Sequence, residues 1–278
     1  MTTVHSVQEL NQAYKILSEQ SVKVIAGGTD LMVLYGSGLS LPSKILDIWQ
    51  LNELRNIREE ENCVKIGALC TYTQLINDER VKCFAPSLVS ASRTIGAVQI
   101  QNRGTLGGNI VNGSPAGDSL PVLAAFDAEL EIGSARGTRR VSFNQFYTGY
   151  RQTVLSNDEL LLNIFLPKQK QREKSDFYKV GTRAAQAISK VVMAVRAKVD
   201  SDKKIESIAI SLGSVAPTVI RASETERMLT GAEITLELIE QAKKQLSQEV
   251  KPIDDIRSTE HYRRVVTGNL IARFLRAF

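Results

Sequence analysis

The 278-residue sequence predicts an α+β protein, and three observations carry that prediction. Short apolar runs of strand type alternate with helix-periodic segments up to Pro167, a pattern of α/β layering. A charged stretch nearly devoid of apolar residues, KQKQREKSD, follows Pro167 and divides the chain there. The remaining third mixes strand-type runs with three helical stretches, which is again α+β. The length alone favours two domains, or one domain with a substantial lobe.

Each element has a local reason. In VQELNQAYKILSEQ, Val7, Leu10, Ala13 or Tyr14 and Leu17 fall on one helical face, with Ser6 placed as an N-cap. In SVKVIAGGTDL, Val22, Val24 and Ile25 read as a strand that Gly27 and Gly28 break. Thr29 or Asp30 is then placed to cap the helix suggested by LMVLY. KILDI, beyond Pro42, and CVKIGAL, beyond the polar stretch RNIREEEN, are two more strands. TYTQLINDERVKCFAPSLVSASRTI reads as two helices interrupted at Pro86. AELEIGS, a turn at ARGTRR and VSFNQF form strand, turn and strand, and LLLNIFLP is a strand that Pro167 ends. After the charged stretch come DFYKVGTR, a helix or extended segment at AISKVVMAVRAKVD, and a strand at ESIAISLGSV. Helices at ERMLTG, LELIEQAKKQLSQEV and TEHYRRVVTGNLIARFLRAF complete the chain.

Composition narrows the function. Hydrophobic residues at 43% and charged residues at 23% describe a folded soluble protein. The net charge of +5 is dispersed rather than striped along one face, which argues against nucleic-acid binding. MTTVHSVQEL has no leader character, and no run approaches the roughly 18 apolar residues of a membrane span, so a cytoplasmic location is expected. Cys63, Cys70 and Cys83 are odd in number and lack paired spacing, which makes them ordinary reduced thiols rather than metal ligands. His5 and His261, near opposite ends, leave no histidine for a hydrolytic triad or a metal centre.

Two glycine-bearing turns remain. A strand–AGGTD–helix turn exposes backbone N–H groups where an anion such as a phosphate is favoured, though a tight structural turn reads the same way. Arg103 to Asp118, RGTLGGNIVNGSPAGD, holds five of the chain's 18 glycines. Thr105, Asn109, Asn112 and Ser114 can bond phosphate, ribitol or ribose oxygens, and Asp118 can accept from a sugar hydroxyl. The alternative is a glycine-rich turn stabilised by Asx and Ser turns. GSGLSL at Gly36 lacks the third glycine of the dinucleotide fingerprint and no P-loop occurs, so neither a Rossmann fold nor a P-loop enzyme is supported.

The sequence resembles the FAD-binding subunits and domains of molybdenum hydroxylases, the xanthine dehydrogenase and carbon monoxide dehydrogenase group. The resemblance rests on VIAGGTDL at 24–31, TIGAVQIQNRGTLGGNIVNGSPAGDSLPVL at 94–123, FYTGYRQTVLSNDELLLNIFLP at 146–167, FYKVGTR at 177–183 and RSTEHYRRVVTGNLIARFL at 257–275, in matching order. It implies a fold of the p-cresol methylhydroxylase or vanillyl alcohol oxidase type. An FAD-binding domain would span 1–167, as subdomains of about 1–58 and 59–167, and a C-terminal domain of antiparallel sheet and helices would span 168–278. The cofactor implied is FAD. The first loop implied to hold it comprises Val24, Ile25, Ala26, Gly27, Gly28, Thr29, Asp30 and Leu31; the second set is Ile95, Gly96, Ile100, Thr105, Gly108, Asn109, Asn112 and Asp118. Leu161 corresponds to an apolar contact and Lys179 to a basic residue beside the isoalloxazine, able to stabilise negative charge on reduced flavin.

Where some relatives stack an aromatic on the flavin, this chain has Ile95, which leaves Tyr178 as the candidate ring. The extra cysteines of the benzoyl-CoA-reducing branch have no counterpart. The function implied is electron transfer: electrons from a molybdopterin centre in a large subunit pass through [2Fe-2S] clusters in a small subunit to FAD, and on to NAD+, oxygen or another acceptor. No side chain need act as nucleophile or base, which suits the scarcity of histidine. A stand-alone FAD-dependent reductase or oxidase, and a scaffold subunit that has lost FAD, are the other readings. The intact AGGTD and TLGGN turns argue against the latter.

Overall fold

The computed structural model describes residues 2–183 and 186–278. The chain opens with β1 (Thr3–Ser6), α1 (Leu10–Glu19), β2 (Lys23–Ile25), α2 (Leu31–Gly36) and β3 (Lys44–Asp47). The strands form a parallel sheet in the order β1-β3-β2. Parallel pairing needs crossovers: α1 carries the chain from β1 to β2 on the far side of the sheet, and α2 lies on the connection from β2 back to the central β3. Ala13 and Leu17 on α1 pack with Val7, Leu46 and Ile48 in a small core. Ser6 is not the cap of α1: it ends β1, an unforeseen strand, and its hydroxyl donates to Asp47 at 3.3 Å. The N-cap position falls instead to Glu9, whose side chain makes no capping bond.

A second layer follows: β4 (Ile57–Glu59), β5 (Cys63–Gly67), α3 (Tyr72–Asn77), α4 (Glu79–Phe84), α5 (Pro86–Arg93), α6 (Val98–Arg103), α7 (Leu106–Asn112), α8 (Leu120–Ala125), β6 (Glu129–Ser134), β7 (Gly137–Ser142), β8 (Tyr147–Gly149), β9 (Gln152–Thr153) and β10 (Leu160–Pro167). Five of these strands make an antiparallel sheet, β4-β5-β10-β6-β7, over the largest core. Three expectations change. The polar stretch RNIREEEN contains the edge strand β4, where one face is solvated and hydrophobic patterning is weak. Asp78 caps α4, accepting from Arg80 and Val81, so the segment ahead of Pro86 is two helices, not one. Strand β7 begins at Gly137, inside the supposed turn, and Phe143–Gln145 is a turn of 3-10 helix.

The last layer is an antiparallel sheet of β11 (Glu173–Val180), β12 (Val191–Val199), β13 (Ile205–Gly213) and β14 (Ile220–Arg221), covered by α9 (Ser223–Leu229), α10 (Leu236–Glu249) and α11 (Glu260–Leu275). The charged stretch is only partly a connection, because β11 starts at Glu173 and pairs along its length with β12. AISKVVMAVRAKVD resolves as extended backbone in β12, whose run of buried Val and Ala residues suits a central strand. Among the described residues, no helix is long and apolar enough to cross a membrane.

Candidate functional site

The two glycine turns meet. Strand β2 delivers Val24 and Ile25, both half-buried, and the chain then turns through Ala26 to Asp30 into α2, which Leu31 begins. A Cβ on Gly27 would lie 1.8 Å from the Arg103 carbonyl oxygen, so only glycine permits this approach to the head of the second turn. Gly28 carries φ +76°, the left-handed conformation that reverses the chain. Among the described residues, no acceptor pairs with the backbone N–H groups of Gly27, Gly28, Thr29 and Asp30. Asp30 sits at the N-cap position of α2 without capping it; its Oδ1 instead accepts from Asn112 Nδ2 at 3.1 Å. Burial pushes the Asp30 carboxyl above the usual carboxylate range, against the pull of Arg151 and the Asn112 bond.

The second turn is built into the large core. Thr105 caps α7, its hydroxyl accepting from Gly108 N at 3.0 Å. A Cβ on Gly108 would meet that hydroxyl at 2.8 Å and nothing else within 4 Å, so the glycine faces open space. Asn109 Oδ1 accepts from the Ser119 hydroxyl at 2.7 Å, an internal clamp rather than an outward-facing group. Asn112 spans the turns, giving its amide to Asp30 and accepting from Arg151 at 3.2 Å. Ile95 and Ile100 flank the turn half-buried, with Gly96 between them so close to Ile100 that a Cβ would lie 2.7 Å from the isoleucine Cβ.

Asp118 and Lys179 make the third wall. Lys179 Nζ donates to Asp118 Oδ2 at 2.5 Å and to the Thr94 carbonyl at 3.0 Å, reaching from β11 to the end of the second turn. Both side chains are about nine-tenths buried, yet Asp118 Oδ1 has no hydrogen-bond partner among the described residues. Desolvation raises the Asp118 pKa, and the charge and hydrogen bond of Lys179 oppose that rise. Tyr178 cannot provide the stacking ring. Its neighbour on the pleated strand points at Asp118, so Tyr178 points the other way, packs against the last layer's core and donates to Asp176 at 3.2 Å. Leu161 lies in β10 within the large core, 5% exposed, packed rather than open.

Residues 1–169 match the family described as the FAD binding domain in molybdopterin dehydrogenase, and residues 176–278 match the CO dehydrogenase flavoprotein C-terminal domain. The chain belongs to this flavoprotein family. It is 34% identical to the xanthine dehydrogenase FAD-binding subunit of Escherichia coli over 262 residues, 93% of this chain and 89% of that one. It is 33% identical to the glyceraldehyde dehydrogenase medium chain of Sulfolobus acidocaldarius, covering 93% and 92%. A solved carbon monoxide dehydrogenase from Hydrogenophaga pseudoflava superposes with a TM-score of 0.93 at 28% identity, covering 98% of this chain and 95% of that one. The molybdopterin-dehydrogenase flavoproteins thus share this mixed helix-and-sheet fold, and FAD is the cofactor of the domain that carries both glycine turns.

In this family member the structure adds residues that sequence reasoning passed over. Thr94 supplies a carbonyl to Lys179, and Tyr147 from β8 donates to the Ile110 carbonyl of α7 at 2.8 Å. Arg151 braces Asn112. Their partners lie tens of residues away, beyond what local spacing encodes. Arg103 is different, because it heads the glycine-rich stretch and was in plain view.

Proposed function

We propose that this chain holds FAD between its two glycine turns and serves as the electron-transfer flavoprotein subunit of a cytoplasmic molybdenum hydroxylase. In this reading its fold is of the p-cresol methylhydroxylase or vanillyl alcohol oxidase type, with domains at 1–167 and 168–278. Its partners are a large molybdopterin-binding subunit and a small subunit with [2Fe-2S] clusters. The observation that carries the reading is the junction at Gly27, where two donor-rich turns close against each other and leave four backbone N–H groups without an acceptor among the described residues.

The residues fit the cofactor. Ala26 to Leu31, with Val24 and Ile25 beneath them, offer backbone donors to the diphosphate, and Thr105 holds α7 so that Gly108 presents bare backbone to it. Asn112 is tethered at the mouth, and the unpartnered Asp118 Oδ1 is a buried acceptor suited to a sugar hydroxyl. Ile95, Gly96 and Ile100 line the approach, Asn109 fixes the turn from within, and Leu161 backs the apolar side. Asp118 and the Thr94 carbonyl hold Lys179, whose positive charge can stabilise an anionic reduced ring. When bound, FAD supplies the redox chemistry, taking electrons from the cluster-bearing partner and delivering them to NAD+, oxygen or another acceptor.

The chain purified without partners is expected to show visible flavin absorbance or to acquire it on addition of FAD. Colourless protein that takes up no FAD would overturn the proposal. Copurification with molybdenum-containing and iron–sulfur subunits tests the assembly, and isolation of an active flavoprotein with no such partners would favour the stand-alone enzyme.

A further inference from the structure

The chain's single tryptophan stands beside the junction of the turns. Strands β2 and β3 are parallel, so both leave the sheet at the same edge, where ligands of such sheets bind. Strand β2 leads into the first glycine turn and β3 into Trp49, and Ile48 N donates to the Ile25 carbonyl at 3.0 Å to tie the two exits together. The Arg55 guanidinium carbon lies 4.0 Å from the Trp49 ring centroid, and that of Arg103 lies 3.8 Å from the same centroid. Two guanidinium planes that close to one centroid cannot share a face, so the indole is sandwiched. Arg55 is pinned by donating to the carbonyls of Trp49 and Leu69.

Arg103 has no such anchor. Its main-chain carbonyl abuts Gly27, while its exposed side chain has the indole as its partner among the described residues. No carboxylate among the described residues pairs with either arginine. Two like charges thus share one ring with no counter-ion, each disfavouring the other, next to four unused backbone donors. A cation stacked on indole keeps its planar fork of N–H donors pre-oriented, and that fork matches phosphate oxygens. An anion such as a phosphate suits this exposed fork beside the unused backbone donors.

We propose that Arg103, held over Trp49, is a diphosphate-binding residue that pairs with the diphosphate of the dinucleotide cofactor. This rests on the FAD reading above and extends the site to a side chain outside the glycine turns' own hydrogen-bond network. Arg55 is a positioning residue, fixing the far face of the indole.

Because Trp49 is the chain's single tryptophan, its fluorescence in the full-length, flavin-stripped protein reports this stack alone. ADP, which carries the diphosphate without the flavin, is expected to change Trp49 emission. Arg103→Gln is expected to weaken both ADP and FAD binding by about tenfold or more, and Arg103→Lys by less. Unchanged Trp49 emission at saturating ADP, or wild-type ADP and FAD affinities in Arg103→Gln, would overturn the assignment. The emission change needs no variant, so it decides the matter even where a substitution disturbs folding. Wild-type protein that takes up neither FAD nor ADP would sink the FAD reading as well. Protein that takes up FAD but is indifferent to Arg103 would sink this contact alone.

Discussion

The two glycine turns solve the same steric problem on opposite foundations. The first hangs from a three-stranded sheet and runs into α2, a helix with no buried residue, whose Met32, Val33, Leu34 and Tyr35 are 51%, 65%, 47% and 54% exposed. The second runs into α7, which buries Leu106, Gly107 and Ile110 in the largest core. It is further fixed by the Thr105 cap, the Asn109–Ser119 bond and the Tyr147–Ile110 bond. The second turn is therefore a fixed wall, and the first is located mainly by pressing Gly27 against that wall. Substitutions at the core-facing residues and anchors of the second turn should register in stability, and those in the first turn, or at a glycine of the second that faces open space, should register in the cofactor.

The largest effect is expected where the wall meets the last layer. Lys179→Met would leave Asp118 buried beside a hydrocarbon, and breaking a buried ion pair from one side costs about 3–5 kcal/mol. Chemical denaturation should show that loss in the protein without FAD; a variant as stable as wild type would mean that the second turn does not depend on this anchor. Gly27→Ala comes next. The new methyl collides with the Arg103–Gly104 backbone at the head of the second turn, and overpacking of this kind costs about 1–3 kcal/mol. Because the first turn has little else to hold it, FAD retention should fall further than melting temperature. Equal loss of both would erase the distinction between the turns.

Gly108→Val sharpens the comparison from the other side. Its side chain would point into open space past Thr105, so the protein should fold and keep most of its stability while retaining FAD poorly. Full FAD occupancy in a folded Gly108→Val protein would remove Gly108 from the site.

The contrast between the turns was only half legible in the sequence. Both turns could be found, because glycine and small polar residues between apolar runs have local causes. So could most strands, from LLLNIFLP to ESIAISLGSV. The edge strand β4 and the start of β11 could not, since charged residues on solvated faces mask strand periodicity. The sequence also could not show that Asp118 faces Lys179 across 61 residues, or that Tyr178 turns away because Lys179 turns in. Those are consequences of sheet register, which is set by pairing partners distant in the chain. The exposure of LMVLY is a further case: an apolar helix was expected, and nothing local says that its apolar side chains stay on the surface.

The smallest effect is expected at a clamp outside both turns, and it serves as their control. Glu159, just ahead of β10, accepts from Arg139 of β7 through two bonds of 2.8 Å and from Ser156 N at 2.9 Å. The Arg139 hydrogen bonds, with help from Ser156 N, hold its pKa down to about 2 against an ordinary 4.5. A carboxyl depressed in the folded state stabilises it above the unfolded value and loses that contribution as pH falls toward the folded one. The gap in melting temperature between wild type and Glu159→Gln should therefore be constant at neutral pH and narrow as pH drops from 4.5 toward about 2. FAD occupancy at neutral pH should be the same in both proteins. A gap that persists at the acid end would mean that Glu159 contributes by packing rather than by charge, and flavin loss at neutral pH would mean that the clamp is not independent of the turns.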